Sequence, residues 1–175
     1  MSSTQSASGR LPYPPHTVHI RWKNRGPDFV RGQYSREHTW TFDGGVTVAA
    51  SPSPFVVPTP WSNPDHVDPE EALLAAISSC HMLTVLWLAS KAGWIVEAYE
   101  DASEATLAKN ERRVPWVSEA ILRPRITWGG DQQPSDAEVA ALHAQAHDLC
   151  FIANSVRTEI RIEAPDAADP ATDHA

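Results

Sequence analysis

Asp68-Pro69-Glu70-Glu71-Ala72-Leu73-Leu74-Ala75-Ala76-Ile77-Ser78-Ser79-Cys80-His81 opens one long helix, and the rest of the chain is organised around it. Pro69 suits the first helical turn, where a missing N–H costs nothing, and Asp68 before it suits the N-cap. Glu70 and Glu71 then meet the positive end of the helix dipole. The helical pattern runs to about Lys91, a cation in the last turn, and Gly93 supplies the stop. Apolar residues fall on every face of this segment, as in a helix buried on all sides. Ser78, Ser79, His81 and Thr84 interrupt its apolar run, which predicts a core helix and not a membrane span.

The segments on either side read as β. His16–Trp22 alternates, and Tyr34–Phe42 carries Tyr34, His38, Trp40 and Phe42 at even spacing. Asp43-Gly44-Gly45 is a hairpin signal into Val46–Ala49. Ser51–Asp68 holds five prolines and predicts a long ordered loop of the functional kind. Trp94–Ala108 and Val114–Trp128 read as two long strands, the second interrupted at Pro124. A second helix starts at Ser135, with capping-box spacing to Glu138, and ends near Cys150. Val156, Thr158, Ile160 and Ile162 form a closing strand of period two. The order β-β-β-α-β-β-α-β has no alternating βαβ repeat, so the expected class is α+β, with antiparallel sheets packed around a long central buried helix. Residues 16–163 are expected to be a single domain, between a disordered arm, 1–15, and a disordered tail, 164–175.

The chain has 175 residues, enough for a real core, and a formal net charge of -8, which argues against a nucleic-acid or anionic-membrane partner. No secretory signal pattern is visible, and two cysteines then point to a reducing cytoplasm, where a disulfide would be transient and catalytic. The seven tryptophans are scattered and read as core or interface filler, with Trp61 and Phe55 left open as pocket residues.

Chemistry rests on those two cysteines, Cys80 inside the long helix and Cys150 where the second helix ends. A thiol is nucleophilic only as the thiolate. Cys80 lies about three turns into its helix, beyond reach of the dipole, and apolar surroundings disfavour its ionised form. A reactive Cys80 therefore needs a cation from elsewhere; arginine suits because it stays charged when partly buried, with a carboxylate to hold it. Cys150, at the negative end of a helix, is the poorer attacker and the better resolving thiol. Two inert buried cysteines are the alternative.

Two stretches carry a family resemblance: Asp68-Pro69-Glu70-Glu71-Ala72-Leu73-Leu74 leading to Ser78-Ser79-Cys80-His81, and Cys150-Phe151-Ile152-Ala153-Asn154-Ser155-Val156. Together they resemble the OsmC/Ohr family of thiol-dependent hydroperoxide reductases, and the element order agrees from His16 to Glu163. The resemblance implies a peroxidase that reduces organic hydroperoxides to alcohols. Cys80 matches the attacking cysteine, Cys150 the resolving one, and Glu70 the carboxylate. The family's arginine comes from the early β region, where Arg31 and Arg36 are available; Arg36 suits the pattern better by its distance from the Asp43-Gly44 turn. The resemblance also implies an intertwined homodimer with sites at the interface, an external dithiol reductant and no bound cofactor. His81 stands where many members carry an aromatic residue. Ten residues of straight helix separate Glu70 from Cys80 by about 15 Å. Glu70 therefore acts through a bent first turn and the arginine, or a second chain completes the site.

Two other readings compete. His143, His147 and Cys150 share a helical face at i, i+4, i+7, with His81 beside Cys80, and such ligands suit zinc or iron. The other is a protein of the same fold without peroxidase activity, Cys80 being a packing residue.

Overall fold

In the computed structural model, which describes residues 13–163, the chain divides between Asp68 and Pro69 into two units. The expected tail, 164–175, lies outside the described residues, as does the expected arm except for its last three positions.

The N-terminal unit is built on strands β1 (Val18–Trp22), β2 (His38–Phe42) and β3 (Thr47–Ala50), paired antiparallel in that order. Asp43-Gly44-Gly45 makes the hairpin as expected: Gly45 has φ of 85°, a left-handed conformation that favours glycine, and its N–H donates to Phe42 O at 2.9 Å. The strand expected from Tyr34 begins only at His38. Backbone partners explain the delay, because the Ser35 N–H donates to Arg25 O at 2.8 Å and the Arg36 N–H to Trp61 O at 3.0 Å, both outside the ladder. The proline-rich stretch is ordered around buried Ser51, whose Oγ accepts from the Asn63 N–H at 2.8 Å.

In the C-terminal unit, α1 (Pro69–Ala92) is one continuous helix of 24 residues, bounded as the sequence predicts. Its end is a Schellman motif: Trp94 N–H donates to Ala89 O at 3.0 Å, Gly93 N–H to Ser90 O at 3.2 Å, and Gly93 has φ of 84°. A Cβ added at Gly93 meets nothing within 4 Å, so the cost of Gly93→Ala is backbone strain alone. We expect a loss of about 1 kcal/mol in a urea titration, and a smaller loss for Gly93→Asn, since asparagine tolerates that conformation better.

Where two long strands were expected after α1, there are four. β4 (Ile95–Asp101) and β5 (Glu104–Lys109) divide the first, and β6 (Pro115–Leu122) and β7 (Pro124–Gly129) divide the second. β4 pairs with β7, while β5 and β6 join β8 (Glu159–Ile162) in another sheet. The two corners hold each other: Arg123 N–H donates to Asp101 Oδ1 at 2.7 Å, and Pro124 has no N–H to offer a continuing ladder. All pairings are antiparallel except β6 with β8, which is parallel. Helix α2 (Asp136–Leu149) carries the expected capping box, Ser135 and Glu138 each accepting from the other's backbone N–H.

Two apolar clusters make the core. Val85, Leu88 and Ala89 of α1 pack on Leu142 and Ala146 of α2, and Ile77 packs on Ala120 and Leu122 of β6. In this chain α1 buries the face of Ile77, His81, Val85, Leu88 and Ala89 and leaves Leu83 and Trp87 exposed. Its length and apolarity would also suit a bilayer span, but its buried face is packed on α2 and β6 within the unit.

Candidate thiol site

α1 places Cys80 on the face that continues through Leu83, Thr84 and Trp87, at i+3, i+4 and i+7. α2 ends at Cys150, which leaves the helix with φ of −68° and ψ of 119°. Asn154 then folds back: its Nδ2 donates to Asp148 O and to Cys150 O, each at 2.9 Å, supplying partners to carbonyls that the helix end leaves unbonded. This return brings the Ala153 N–H to 3.4 Å from Cys150 Sγ. Much of the Cys150-Phe151-Ile152-Ala153-Asn154 motif is thus the hardware of a helix end that fixes one sulfur.

The two cysteines, distant in sequence, are neighbours in the fold. Both are free thiols, Cys80 half-buried and Cys150 buried, and Cys80 lies close enough to Cys150 to influence its ionisation. Burial pushes the Cys150 thiol up, and the neighbouring Cys80 pushes it the same way, against smaller opposing effects of the Ala153 and Ile152 N–H groups. Cys150 is thereby disfavoured as a thiolate.

Cys80 opens into a groove of about 460 Å³ lined by Leu83, Thr84, Trp87, Leu149 and Phe151. Four of these are large apolar side chains left open to solvent, Phe151 at 74% and Leu83 at 62%. Such a concentration of exposed apolar surface marks a binding face. The helical spacing from Cys80 and the residues flanking Cys150 were the signals that could have identified this lining; Trp87 belongs to it, not to the core.

The other expected residues belong to the first turn of α1 and to the N-terminal unit. Glu70 is in the first turn of an unbroken α1, so about 15 Å of helix separates it from Cys80 along the axis. Arg36 belongs to the N-terminal unit, where its Nη1 donates to Gly32 O at 2.8 Å and Tyr34 O at 2.7 Å and its guanidinium covers the Tyr34 ring at 3.8 Å. Arg31 is exposed beside Asp28, at 3.5 Å.

On the face of α1 turned into the unit, His81 is 2% exposed, and its Nε2 lies 3.0 Å from His143 Nδ1 of α2. That contact takes one proton: one nitrogen donates and the other accepts. Desolvation, followed by the neighbouring His143, lowers the His81 pKa to about 4, and burial lowers that of His143 as well; Asp101 opposes both. On the histidine face of the competing metal reading, His143 Nδ1 is taken up by His81. Among the described residues, no three His, Cys, Asp or Glu side chains are grouped to hold a metal ion.

An α+β chain of this topology with a neighbouring thiol pair at an apolar groove belongs to a known class. The model of the OsmC-like protein family matches residues 62–164. A solved OsmC-like protein of unknown function from Vibrio cholerae is 44% identical, with a TM-score of 0.83 over 87% of this chain and 99% of that one. An organic hydroperoxide resistance protein from Legionella pneumophila shares the fold at 16% identity, TM-score 0.65, over 89% of this chain and 99% of that one. The organic hydroperoxide resistance protein OhrB of Bacillus subtilis does so at 16% identity, TM-score 0.56, over 85% and 96%. No curated protein matches the chain in sequence. The chain belongs to the OsmC-like family, and its structural neighbours include the organic hydroperoxide resistance proteins.

Proposed function

We propose that the protein is a thiol-dependent peroxidase that reduces organic hydroperoxides to alcohols. One observation carries this reading: Cys80, which lines an apolar groove, lies close enough to Cys150 to influence its ionisation. The names of the Legionella and Bacillus neighbours favour the same substrate class. Cys80 thiolate attacks the distal peroxide oxygen, the O–O bond breaks, and the departing alkoxide takes a proton to leave as alcohol. Cys80 is then a sulfenic acid. Cys150 sulfur attacks the Cys80 sulfur, water leaves, and a Cys80–Cys150 disulfide remains. An external dithiol reduces that disulfide and is itself oxidised, so no bound cofactor is needed.

Arg36 is the guanidinium assigned to activate Cys80, and Glu70 the carboxylate assigned to hold it. The helical distance of Glu70 from Cys80 favours a homodimer in which a second chain completes the site. The enzyme would work in the reducing cytoplasm, without nucleic acid or membrane as partner.

Intact mass measured after one equivalent of cumene hydroperoxide, followed by peptide mapping without reduction, should give one Cys80–Cys150 bridge with the peroxide consumed. Two free thiols beside unconsumed peroxide would leave an OsmC-like protein that is not a peroxidase. Regeneration by lipoyl and by thioredoxin-type dithiols, compared side by side, identifies the reductant class.

A further inference from the structure

Three aromatic rings of the N-terminal unit gather in a cluster that is only half-buried. Phe29 stacks on the Tyr34 ring with centroids 4.5 Å apart, and Trp22 meets that ring edge-on at 5.6 Å. Phe29 is nevertheless 52% exposed and Trp22 43%, so the cluster adds little core to its unit. Its backbone is fixed at several points. The Gly32 N–H donates to Phe29 O at 3.0 Å, Gly32 turns the chain with φ of 76°, and the Trp22 indole N–H donates to Ser35 O at 2.8 Å. Gly26 lets the loop close on itself, since a Cβ there would stand 2.2 Å from Gln33 O and 2.5 Å from Tyr34 Cα.

What this cluster carries is Arg36. Tyr34 and Arg36 are two residues apart, the spacing that puts side chains on one side of an extended chain. The Arg36 guanidinium lies over the Tyr34 ring, its Cζ 3.8 Å from the centroid. Nη1 spends both its hydrogens on backbone, on Gly32 O at 2.8 Å and on Tyr34 O at 2.7 Å. Among the described residues no carboxylate pairs with Arg36, and its Nε and Nη2 hydrogens have no acceptor. One nitrogen and one face of the guanidinium are thus anchored, while the rest of the fork and the whole charge stay available. An arginine ordered in advance loses less rotamer freedom when it engages a partner.

We infer that Tyr34, backed by Phe29 and Trp22, is a positioning residue: its ring holds the Arg36 guanidinium in the conformation in which that cation serves Cys80. The inference deepens the proposed function and rests on the assignment of Arg36 to Cys80 made there; Tyr34 acts only through Arg36.

The test reads the reactivity of the Cys80 thiol and not peroxide turnover, in the full chain carrying Cys150→Ser so that a single thiol reports. The measurement is the pH profile of alkylation by iodoacetamide, with far-UV circular dichroism as the check on folding. Arg36→Met should move the profile to higher pH, because a cation that favours the thiolate is lost. Tyr34→Leu should move it the same way and slow alkylation near neutral pH about fivefold. Tyr34→Phe, which keeps the ring, should restore the parent profile. In a chain already carrying Arg36→Met, Tyr34→Leu should add nothing. Phe29→Leu, which removes the ring behind Tyr34, should give a smaller move in the same direction, and it decides the matter if Tyr34→Leu does not fold. A profile that stays put in Tyr34→Leu and Phe29→Leu while Arg36→Met shifts it overturns the inference and leaves the Arg36 assignment standing. So does a Tyr34→Leu effect that is as large without Arg36 as with it. A profile unmoved by Arg36→Met removes the Arg36 assignment, and the inference with it, whatever the wild type does to hydroperoxide.

Discussion

Cys80→Ser should reduce hydroperoxide consumption to the rate without protein, a loss on the order of 10³-fold or more, because an alcohol neither ionises near neutral pH nor forms a sulfenic acid. Cys150→Ser should behave differently. Its serine keeps the size of the buried group and an acceptor for the Ala153 N–H, 3.4 Å from the sulfur it replaces. Cys80 would still turn over once per chain and then stop as a sulfenic acid, which a dimedone-type nucleophile captures. The measurement is a rapid-mixing burst of peroxide loss, scored per chain, with the captured residue located by peptide mapping. The asymmetry follows from the surroundings: Cys150 is buried, which pushes its thiol up, while Cys80 faces the groove. A burst retained in Cys80→Ser and absent in Cys150→Ser would reverse the roles. No burst in either, with peroxide consumed normally, would move the chemistry away from the pair altogether.

How much of this was legible in the sequence differs from element to element. The ends of α1 were, because Pro69 and Gly93 act through backbone terms that do not depend on what surrounds them. The capping box of α2 was legible for the same reason. The division of two long strands into four was not, although Pro124 was visible as an interruption. β-propensity is continuous through both segments, and the bend is held by a bond from Arg123 to Asp101, 22 positions away. Likewise Tyr34–Glu37 alternates like a strand but spends its backbone donors on Arg25 and Trp61. At the site, the cysteines and their motifs could be read, and so could the i+3, i+4, i+7 face that lines the groove. The nearness of Cys80 to Cys150 could be expected only through the family resemblance, since it depends on how α1 packs against α2. The pairing of His81 with His143, 62 residues on, has no local signature at all.

That histidine pair sets the second large effect: stability should fall steeply as pH drops from 6.5 towards 4. His81 has a pKa of about 4 in the folded protein against 6.5 for an ordinary histidine. Between those values the unfolded chain binds more protons than the folded one, so stability rises with pH across the window. The stabilising contribution is complete above 6.5 and is lost as pH falls through the folded value. For His81, whose side chain is almost fully buried, the loss amounts to about 3 kcal/mol at pH 4. His143, lowered for the same reason, acts in the same direction. Protonating both rings would also place two N–H groups against each other at the 3.0 Å contact. The carboxylates with lowered values, Glu37, Glu104 and Glu138, likewise destabilise on acidification, but only below their ordinary value of 4.5, so the upper part of the window reports the histidines. Urea midpoints at half-unit steps from pH 7.5 to 4.5 measure the slope. In the wild type it should approach 1.4 kcal/mol per pH unit for each histidine titrating. His81→Phe, which keeps an aromatic ring of similar size, should flatten it. A midpoint in the wild type that does not move between pH 6.5 and 5 would mean that the pair is not held neutral between α1 and α2. A flat profile would then also detach the thiol pair from pH, because Cys80 and Cys150 are carried by the same two helices.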